Sequence, residues 1–314
     1  MNNRKLESSQ VQLSELGFGT SSYQQGTKGR LSSKEFEKLI NIAIENGITH
    51  IDTAKTYLGG KSESWVGQSL SNLGVRKVVT IATKSHLQAS SKKSKQVIDH
   101  SFEQLAVEYI DIYYIHWPKE GISSAAMLQT LFDYKEKGLI GAVGVCNYPV
   151  SRMQEWISDF PIDLYQLGYS LLWRIPELEI IPFCHEHNIG LVSYSSLAQG
   201  LLTPRIFPKV LPDEDVRRNS VLFRDNTYQK VLATQTELKA HAISSGLSIQ
   251  TLAIGWLLSQ RAIKSVLFNA STEKQLYENI SAYKNNINNE IIKNATKITD
   301  ELKHILPHLD TLFS

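Results

Sequence analysis

Apolar residues fall along this chain in two alternating patterns. Short runs rich in β-branched and aromatic residues read as strands at 16–20, 49–53, 78–84, 110–116, 142–147, 162–168, 190–195 and 265–269. Their starts lie 33, 29, 32, 32, 20, 28 and 75 residues apart. The first six spacings each hold a strand, a helix and two short loops. The last is too long for that and predicts an insertion, at about 203–228. Between the strands the period changes to that of a helix. Phe36, Leu39, Ile40 and Ala43 stand at i, i+3, i+4 and i+7. Ser32 and Glu35 form a capping box ahead of them, and Gly47 marks a stop. Val97, Phe102, Leu105 and Ala106, then Leu128, Leu131 and Phe132, repeat the theme. The runs 228–244, 248–260 and 273–283 also read as helical.

Strands that are apolar at most positions are covered on both faces, as in parallel sheets flanked by helices. Eight strand–helix units joined by right-handed crossovers close most economically as a (β/α)8 barrel, which predicts one domain over 1–314. A doubly wound open sheet is the rival. No G-x-G-x-x-G follows the first strand, where a dinucleotide fold of that kind needs it. The first ten residues, and the Asn-rich stretch 285–289 with the tail after it, read as peripheral.

Composition narrows the function classes. Of 314 residues, 42% are hydrophobic and 20% charged, which excludes a disordered chain. The 33 basic and 31 acidic residues leave a net charge of +2, too even to argue for a nucleic-acid or membrane surface. Cys146 and Cys184 are the only cysteines, so neither a disulfide framework nor a Cys-rich zinc module is expected. The opening MNNRKLESSQ lacks the apolar core of a signal peptide. The most apolar stretch, 248–260, is about a third too short to span a bilayer. The expectation is a soluble cytoplasmic protein.

In a (β/α)8 barrel chemistry gathers at the C-terminal strand ends. There the sequence offers Asp52, followed by Tyr57; then Lys84, His116, Asn147, Gln166, and Tyr194 with Ser195. Singly, each is an ordinary polar residue at the start of a loop. Together, Asp, Tyr, Lys and His suit one task. An ammonium beside a phenol lowers its pKa from about 10, and a carboxylate keeps that ammonium charged. The phenol then serves as a general acid, with an imidazole to hydrogen-bond a carbonyl. The set suits proton delivery to a carbonyl oxygen while hydride attacks the carbon. His185, Glu186 and His187 do not share a helix face and make no H-E-x-x-H zinc site, and no metal is expected.

The segments GFGTSSY (17–23), THIDTAKTYLGGKSESWVG (49–67), TIATK (80–84), DIYYIHWP (111–118) and GAVGVCNYP (141–149) resemble the aldo-keto reductase family. So do DLYQLGYSLLWRIPE (163–177), LVSYSSLAQGLLT (191–203) and ASTEKQLYEN (270–279), in one register from about 11 to 283. The resemblance implies a (β/α)8 barrel that binds a nicotinamide dinucleotide at its C-terminal rim and reduces an aldehyde or ketone. It implies Tyr57 as the general acid, Lys84 and Asp52 as its pKa-lowering pair, and His116 as the residue orienting the carbonyl. Tyr194 would stack on the nicotinamide. Asn147 and Gln166 would bind the carboxamide, with Cys146 alongside. Backbone N–H groups of Ser195, Leu197 and Gly200 would take the pyrophosphate. Ser271, Gln275 and Asn279 would hold the adenosine half, with Ser271 or Thr272 offering a helix N-terminus to a 2′-phosphate. Gly19, Thr20 and Ser21 match cofactor contacts at the first strand.

The chain departs from the family pattern at Phe268-Asn269, where Pro-Gly is usual, and at Cys146, where Ser is common. No Arg or Lys stands at 271–272. Arg217 and Arg218 are candidate phosphate ligands, set against the plainer reading of a solvated charge run with Asp213, Glu214 and Asp215. The expected cofactor is NADPH, with NADH possible, and specificity is expected in loops 23–29, 117–123 and 203–224. Two other readings compete. One is a redox-sensing regulatory subunit that binds the cofactor with little turnover. The other is a different barrel enzyme, a metal-dependent hydrolase or a Schiff-base aldolase using Lys84. The missing metal spacing counts against the hydrolase, and Asp52 disfavours the neutral amine an aldolase needs.

Overall fold

The computed structural model describes residues 1–21, 31–208, 210–212, 215–283, 286–308 and 311–312. The specificity loop expected at 23–29 falls outside these residues, as do Asp213 and Glu214. Two short strands, β1 (Asn3–Lys5) and β2 (Gln12–Ser14), pair antiparallel as a hairpin. Eight further strands follow: β3 (Leu16–Gly19), β4 (His50–Asp52), β5 (Thr80–Ser85), β6 (Ile110–Ile115), β7 (Ile140–Cys146), β8 (Leu164–Gly168), β9 (Gly190–Tyr194) and β10 (Ile263–Phe268). All eight are parallel and close into a barrel in chain order, with β10 joining β3. Each predicted strand is present, with ends shifted by a few residues. Val78 is one such shift: it lies in an exposed turn, and β5 begins at Thr80.

The helices lie where the period places them. In α1 (Ser33–Glu45), the Ser32 hydroxyl accepts from Glu35 N–H, and the Glu35 carboxylate accepts from Ser32 N–H at 2.8 Å. That pairing satisfies two otherwise orphaned donors, and Phe36, Leu39, Ile40 and Ala43 are buried on one face. Then come α2 (Ser62–Leu73), α3 (Ser91–Leu105), α4 (Ala125–Glu136), the short α5 (Val150–Gln154) and α6 (Ile180–Glu186). The long gap before β10 holds a loop region and two helices, α7 (Asp225–Ser244) and α8 (Ile249–Ser259). After β10, α9 (Glu273–Ala282) precedes α10 (Asn289–Thr299) and α11 (Leu302–Ile305). The last two pack on α7, and α10 also on α8. Among the described residues no single helix is long and apolar enough to cross a membrane.

Two segments that read as peripheral contribute to the core. Leu6 beside the hairpin, with Val11 and Leu13, packs onto the barrel interior of Ala82, Ile112, Tyr114, Ala142, Cys146, Leu164, Val192 and Leu267. The hairpin therefore plugs one end of the barrel. At the other end of the chain, Leu302, Leu306 and Leu312 are buried, and the Leu312 carbonyl accepts from Val221 N–H. Isolated leucines in short polar segments carry no period, so the sequence pattern does not mark them.

Candidate active site

The polar strand ends converge at one rim. Asp52 closes β4, and Lys84 lies in β5 two residues beyond Asp52's partner Ala82, on the same face. Lys84 Nζ is fully buried and donates to Asp52 Oδ1 at 2.5 Å and to the Thr53 carbonyl at 2.7 Å. The other carboxylate oxygen accepts from Gln166 Nε2 of β8 at 2.8 Å. Asp52 thus ties β4 to β5 and, across the barrel, to β8. Tyr57 opens a turn in which Leu58, Gly59 and Gly60 all have positive φ (55°, 62° and 90°). Glycine adopts that region freely; at Leu58 it is strained. The turn brings the Tyr57 ring centre to 5.0 Å from Lys84 Nζ. His116 follows β6, its N–H donating to the Ser85 carbonyl at 2.9 Å. Its ring meets Tyr57 edge-on at 5.7 Å and lies 5.4 Å from His86.

Burial dominates the electrostatics. It pushes the Tyr57 phenol up to about 12, against the downward pull of the Lys84 ammonium. This corrects the sequence expectation: Lys84 acts in the expected direction, but desolvation of a phenolate outweighs it. Burial is the largest influence on Lys84 and opposes its charge, yet Asp52, by its charge and its hydrogen bond, together with Tyr57 and Cys146 outweighs it and the ammonium's pKa is raised. Burial, aided by Lys84 and His86, holds His116 well below the ordinary histidine range. At neutral pH the site therefore presents a protonated phenol, an ammonium and a neutral imidazole. His116 Nδ1 is buried with no hydrogen-bond partner among the described residues.

Beside this cluster Asn147 directly follows β7, with φ +61°. Its Nδ2 donates to the His116 carbonyl at 3.1 Å, and its Oδ1 accepts from the Tyr194 hydroxyl at 2.7 Å. Cys146 is buried in the barrel next to it. After β9, Ser195, Ala198, Gln199 and Gly200 have φ of 50°, 48°, 53° and 99°. The left-handed residues fold this loop into tight turns closed by its own backbone: Ala198 N–H donates to the Ser195 carbonyl at 2.7 Å and Gly200 N–H to the Leu197 carbonyl at 2.9 Å. The Gly200 N–H expected to meet a pyrophosphate is therefore spent within the loop.

The remaining candidates are placed less simply. Thr20 is fully buried, its hydroxyl bonded to Ser62 Oγ at 2.8 Å and to the Asp52 carbonyl at 3.1 Å, so its side chain braces the rim from below. Asn269 fills the space beside Gly19, where a Cβ would meet its Oδ1 at 2.2 Å, and donates to Ser21 Oγ at 2.9 Å. Gln275 caps its own helix: Oε1 accepts from Ser271 N–H at 2.8 Å, and Gln275 N–H donates to Thr272 Oγ1 at 3.2 Å. Asn279 is buried between Gln250 Nε2 and the Asn269 carbonyl. Arg217 pairs with Asp215 and lies over Phe207 at 5.0 Å, while Arg218 Nη1 donates to the Leu211 carbonyl at 3.1 Å. Both guanidiniums thus make contacts within the insertion. Arg205, which no sequence pattern singles out, reaches the loop at 195–200. Its Nη1 lies 3.9 Å from where a Gly200 Cβ would stand, directly beside the left-handed run. Among the described residues no three His, Cys, Asp or Glu side chains gather to hold a metal ion.

A family model described as "Aldo/keto reductase family" matches residues 15–300. The chain belongs to the aldo-keto reductase family. This aldo-keto reductase, an oxidoreductase by family, is 30% identical over 306 residues to the NADH-specific methylglyoxal reductase of Escherichia coli (strain K12), covering 90% of this chain and 93% of that protein. It is 26% identical over 302 residues to a probable voltage-gated potassium channel subunit beta of Arabidopsis thaliana, covering 90% and 91%. Among solved structures, the glycerol dehydrogenase of Gluconobacter oxydans superposes with a TM-score of 0.83 at 25% identity, over 95% of each chain.

Proposed function

We propose that this aldo-keto reductase reduces the carbonyl of a small aldehyde or ketone to the alcohol, with NADPH as hydride donor, NADH also being accepted, and Tyr57 as general acid. The observation that carries the reading is the buried Lys84 ammonium, held by Asp52 and the Thr53 carbonyl and 5.0 Å from the Tyr57 ring centre.

The rim fits a nicotinamide dinucleotide on three counts. The loop at 195–200, with four residues at positive φ, has the Arg205 guanidinium beside Gly200 to offer positive charge to a diphosphate. Tyr194 is anchored at this wall through its hydroxyl, which donates to Asn147 Oδ1, and it supplies the aromatic ring against which a nicotinamide would stack. Asn147 and Gln166 bring two amides to the same wall as the catalytic cluster. Ser195, Leu197 and Arg205 would then hold the diphosphate. Asn147 and Gln166 would hold the carboxamide, and Ser271, Gln275 and Asn279 the adenosine half, with Gly19 and Ser21 at the first strand. When bound, the reduced nicotinamide supplies the hydride.

The chain's own residues handle the proton. Tyr57 Oη donates its proton to the carbonyl oxygen, and the electron pair of that O–H bond stays on the phenolate. Lys84 stabilises the phenolate, and Asp52 keeps Lys84 charged and fixed. Neutral His116 offers a ring N–H to the carbonyl oxygen and orients it for the Tyr57 proton. The turn at Leu58–Gly60 aims the phenol.

The second reading, a redox-sensing subunit, is supported by the likeness to the potassium channel subunit beta. One assay separates the two: oxidation of NADPH over a panel of small aldehydes and ketones, beside fluorescence titration of the nucleotide. Binding with turnover supports the reductase. Binding without turnover on any member overturns it in favour of the sensor.

A further inference from the structure

His116 has no side-chain hydrogen bond to aim it. A neutral imidazole has one N–H and one bare nitrogen, and the nitrogen turned away from the reaction is commonly bonded by a carbonyl or carboxylate that fixes the ring. His116 Nδ1 is buried, and among the described residues nothing bonds it. The direction of the ring therefore depends on packing. Three rings contact it: Tyr57 with centres 5.7 Å apart and planes at 78°, His86 at 5.4 Å and 32°, and Trp117 at 6.3 Å and 39°. All three distances fall in the range of about 4.5–7 Å over which aromatic rings attract. Trp117 is simply the next residue along the chain, and Tyr57 has the proton to deliver. His86 comes from a different strand and has no step of the proposed reaction to perform.

The register brings the two imidazoles together. Lys84 pairs with Tyr114 and Ser85 with Ile115 as β5 and β6 run parallel. The bond from His116 N–H to the Ser85 carbonyl at 2.9 Å carries the pairing one step past both strands. His86 and His116 are thus level with one another. They stand two residues beyond Lys84 and Tyr114, and Tyr114 packs inside the barrel, so both rings come to its mouth. The backbone under His86 is anchored, with Leu87 buried and the His86 carbonyl accepting from Gln88 Nε2 at 2.9 Å. The His86 side chain stays exposed at the rim.

We infer that His86 is a positioning residue: its ring, set level with His116 by the β5–β6 register, holds the His116 imidazole towards the substrate carbonyl. His86 gives up no proton and forms no covalent bond in this role. The inference rests on His116 orienting the carbonyl, as proposed above.

Four variants of the whole protein test it: His86→Ala, His86→Phe, His86→Gln and His116→Ala. The readouts are kcat and KM on an aldehyde the parent reduces, NADPH affinity by fluorescence, and melting temperature. A fourth is the His116 ring signal in the NMR spectrum of histidine-labelled protein, assigned by its loss in His116→Ala. His86→Ala should lower kcat/KM roughly two- to tenfold, the worth of one aromatic contact. It should also broaden the His116 signal, with NADPH affinity and melting as in the parent. His86→Phe keeps a ring that cannot titrate, and should recover most of the turnover and a sharp His116 signal. His86→Gln is polar without a ring and should behave like His86→Ala. Parental turnover in His86→Ala overturns the role of His86, while a loss in His116→Ala leaves that of His116 standing. Recovery by His86→Gln, or none by His86→Phe, would mean that a polar contact matters and the ring does not, which overturns it. Lower melting with weaker NADPH binding in His86→Ala would mark a general structural role and overturn it too. If His116→Ala turns over like the parent, the carbonyl-orienting role of His116 falls, and that of His86 with it.

Discussion

Lys84 and Tyr57 meet face-on: the ammonium lies 5.0 Å from the centre of the phenol ring. The same ammonium donates to Asp52 and to the Thr53 carbonyl, so it is held in place before any substrate arrives. Removing the Tyr57 hydroxyl alone should therefore abolish proton delivery and little else. Tyr57→Phe is expected to cut turnover by roughly 10²–10⁴, with NADPH affinity nearly unchanged. Near-parental turnover would end the general-acid assignment. Turnover of the parent should stay level through neutral pH and fall only far on the alkaline side, because the phenol titrates at about 12. In a Lys84→Met variant that phenol would titrate higher still, its lowering neighbour being gone.

Lys84→Met should also destabilise the fold. It leaves the Asp52 carboxylate buried without its cation, at a cost of about 3–5 kcal/mol. Adding Asp52→Asn should recover part of that loss by removing the stranded charge. Chemical denaturation of the two variants checks this. Equal stability of Lys84→Met and the parent would show that water reaches the pair. In turnover, Lys84→Met combined with Tyr57→Phe should be little worse than the worse single, since the two act as one unit.

His50 predicts an acid limb of stability. It is fully buried, with Nδ1 2.9 Å from Ser265 Oγ, and burial depresses its pKa from 6.5 to about 4, Lys84 adding to this and Asp52 opposing it. Below pH 6.5 the unfolded chain takes up a proton that the folded one refuses. The stability present above pH 6.5 is thus lost as pH falls to about 4, on the order of 3 kcal/mol. His116, also depressed, adds to the slope. His50→Gln should flatten the dependence between pH 6.5 and 4; denaturation midpoints across that window with an unchanged slope would contradict it.

Tyr194→Ala should weaken NADPH binding through loss of the stacking face. Tyr194→Phe, which loses only the bond to Asn147 Oδ1, should weaken it less. Calorimetric titration orders the three proteins, and parental affinity in Tyr194→Ala would make this a plain wall residue.

Arg205→Ala should lower affinity for NADPH and NADH by the same factor, about fivefold for one exposed charge contact. The diphosphate is common to both nucleotides, so a loss confined to NADPH would instead place Arg205 at the 2′-phosphate.

The eight strands and the four residues of the candidate catalytic cluster were legible because each strand is an apolar run closed by a polar group. Period and closure are both local signals. Thr20, Gln275 and Asn279 show where locality ends. Their types suit ligand contacts, but whether a hydroxyl or amide turns to solvent or into its own helix cap depends on neighbours such as Ser62, Ser271 and Gln250, distant or not, that no pattern flags. Arg205 was missed because its relation to Gly200 arises only when the loop curls back. The direction of the Tyr57 shift was misread for a related cause: the partner Lys84 is visible in sequence, whereas the depth of burial is not.

The hairpin of β1 and β2 acts far from where it sits. Leu6 and Leu13 stopper the barrel and join one apolar column that runs through Tyr114 and Cys146 to Tyr194 at the opposite mouth. Water entering from below would raise the dielectric constant around Lys84 and weaken its grip on Asp52 and its pull on Tyr57. The first fourteen residues, far from the reacting atoms, thereby set the medium in which a proton is to be moved at the far end of the molecule.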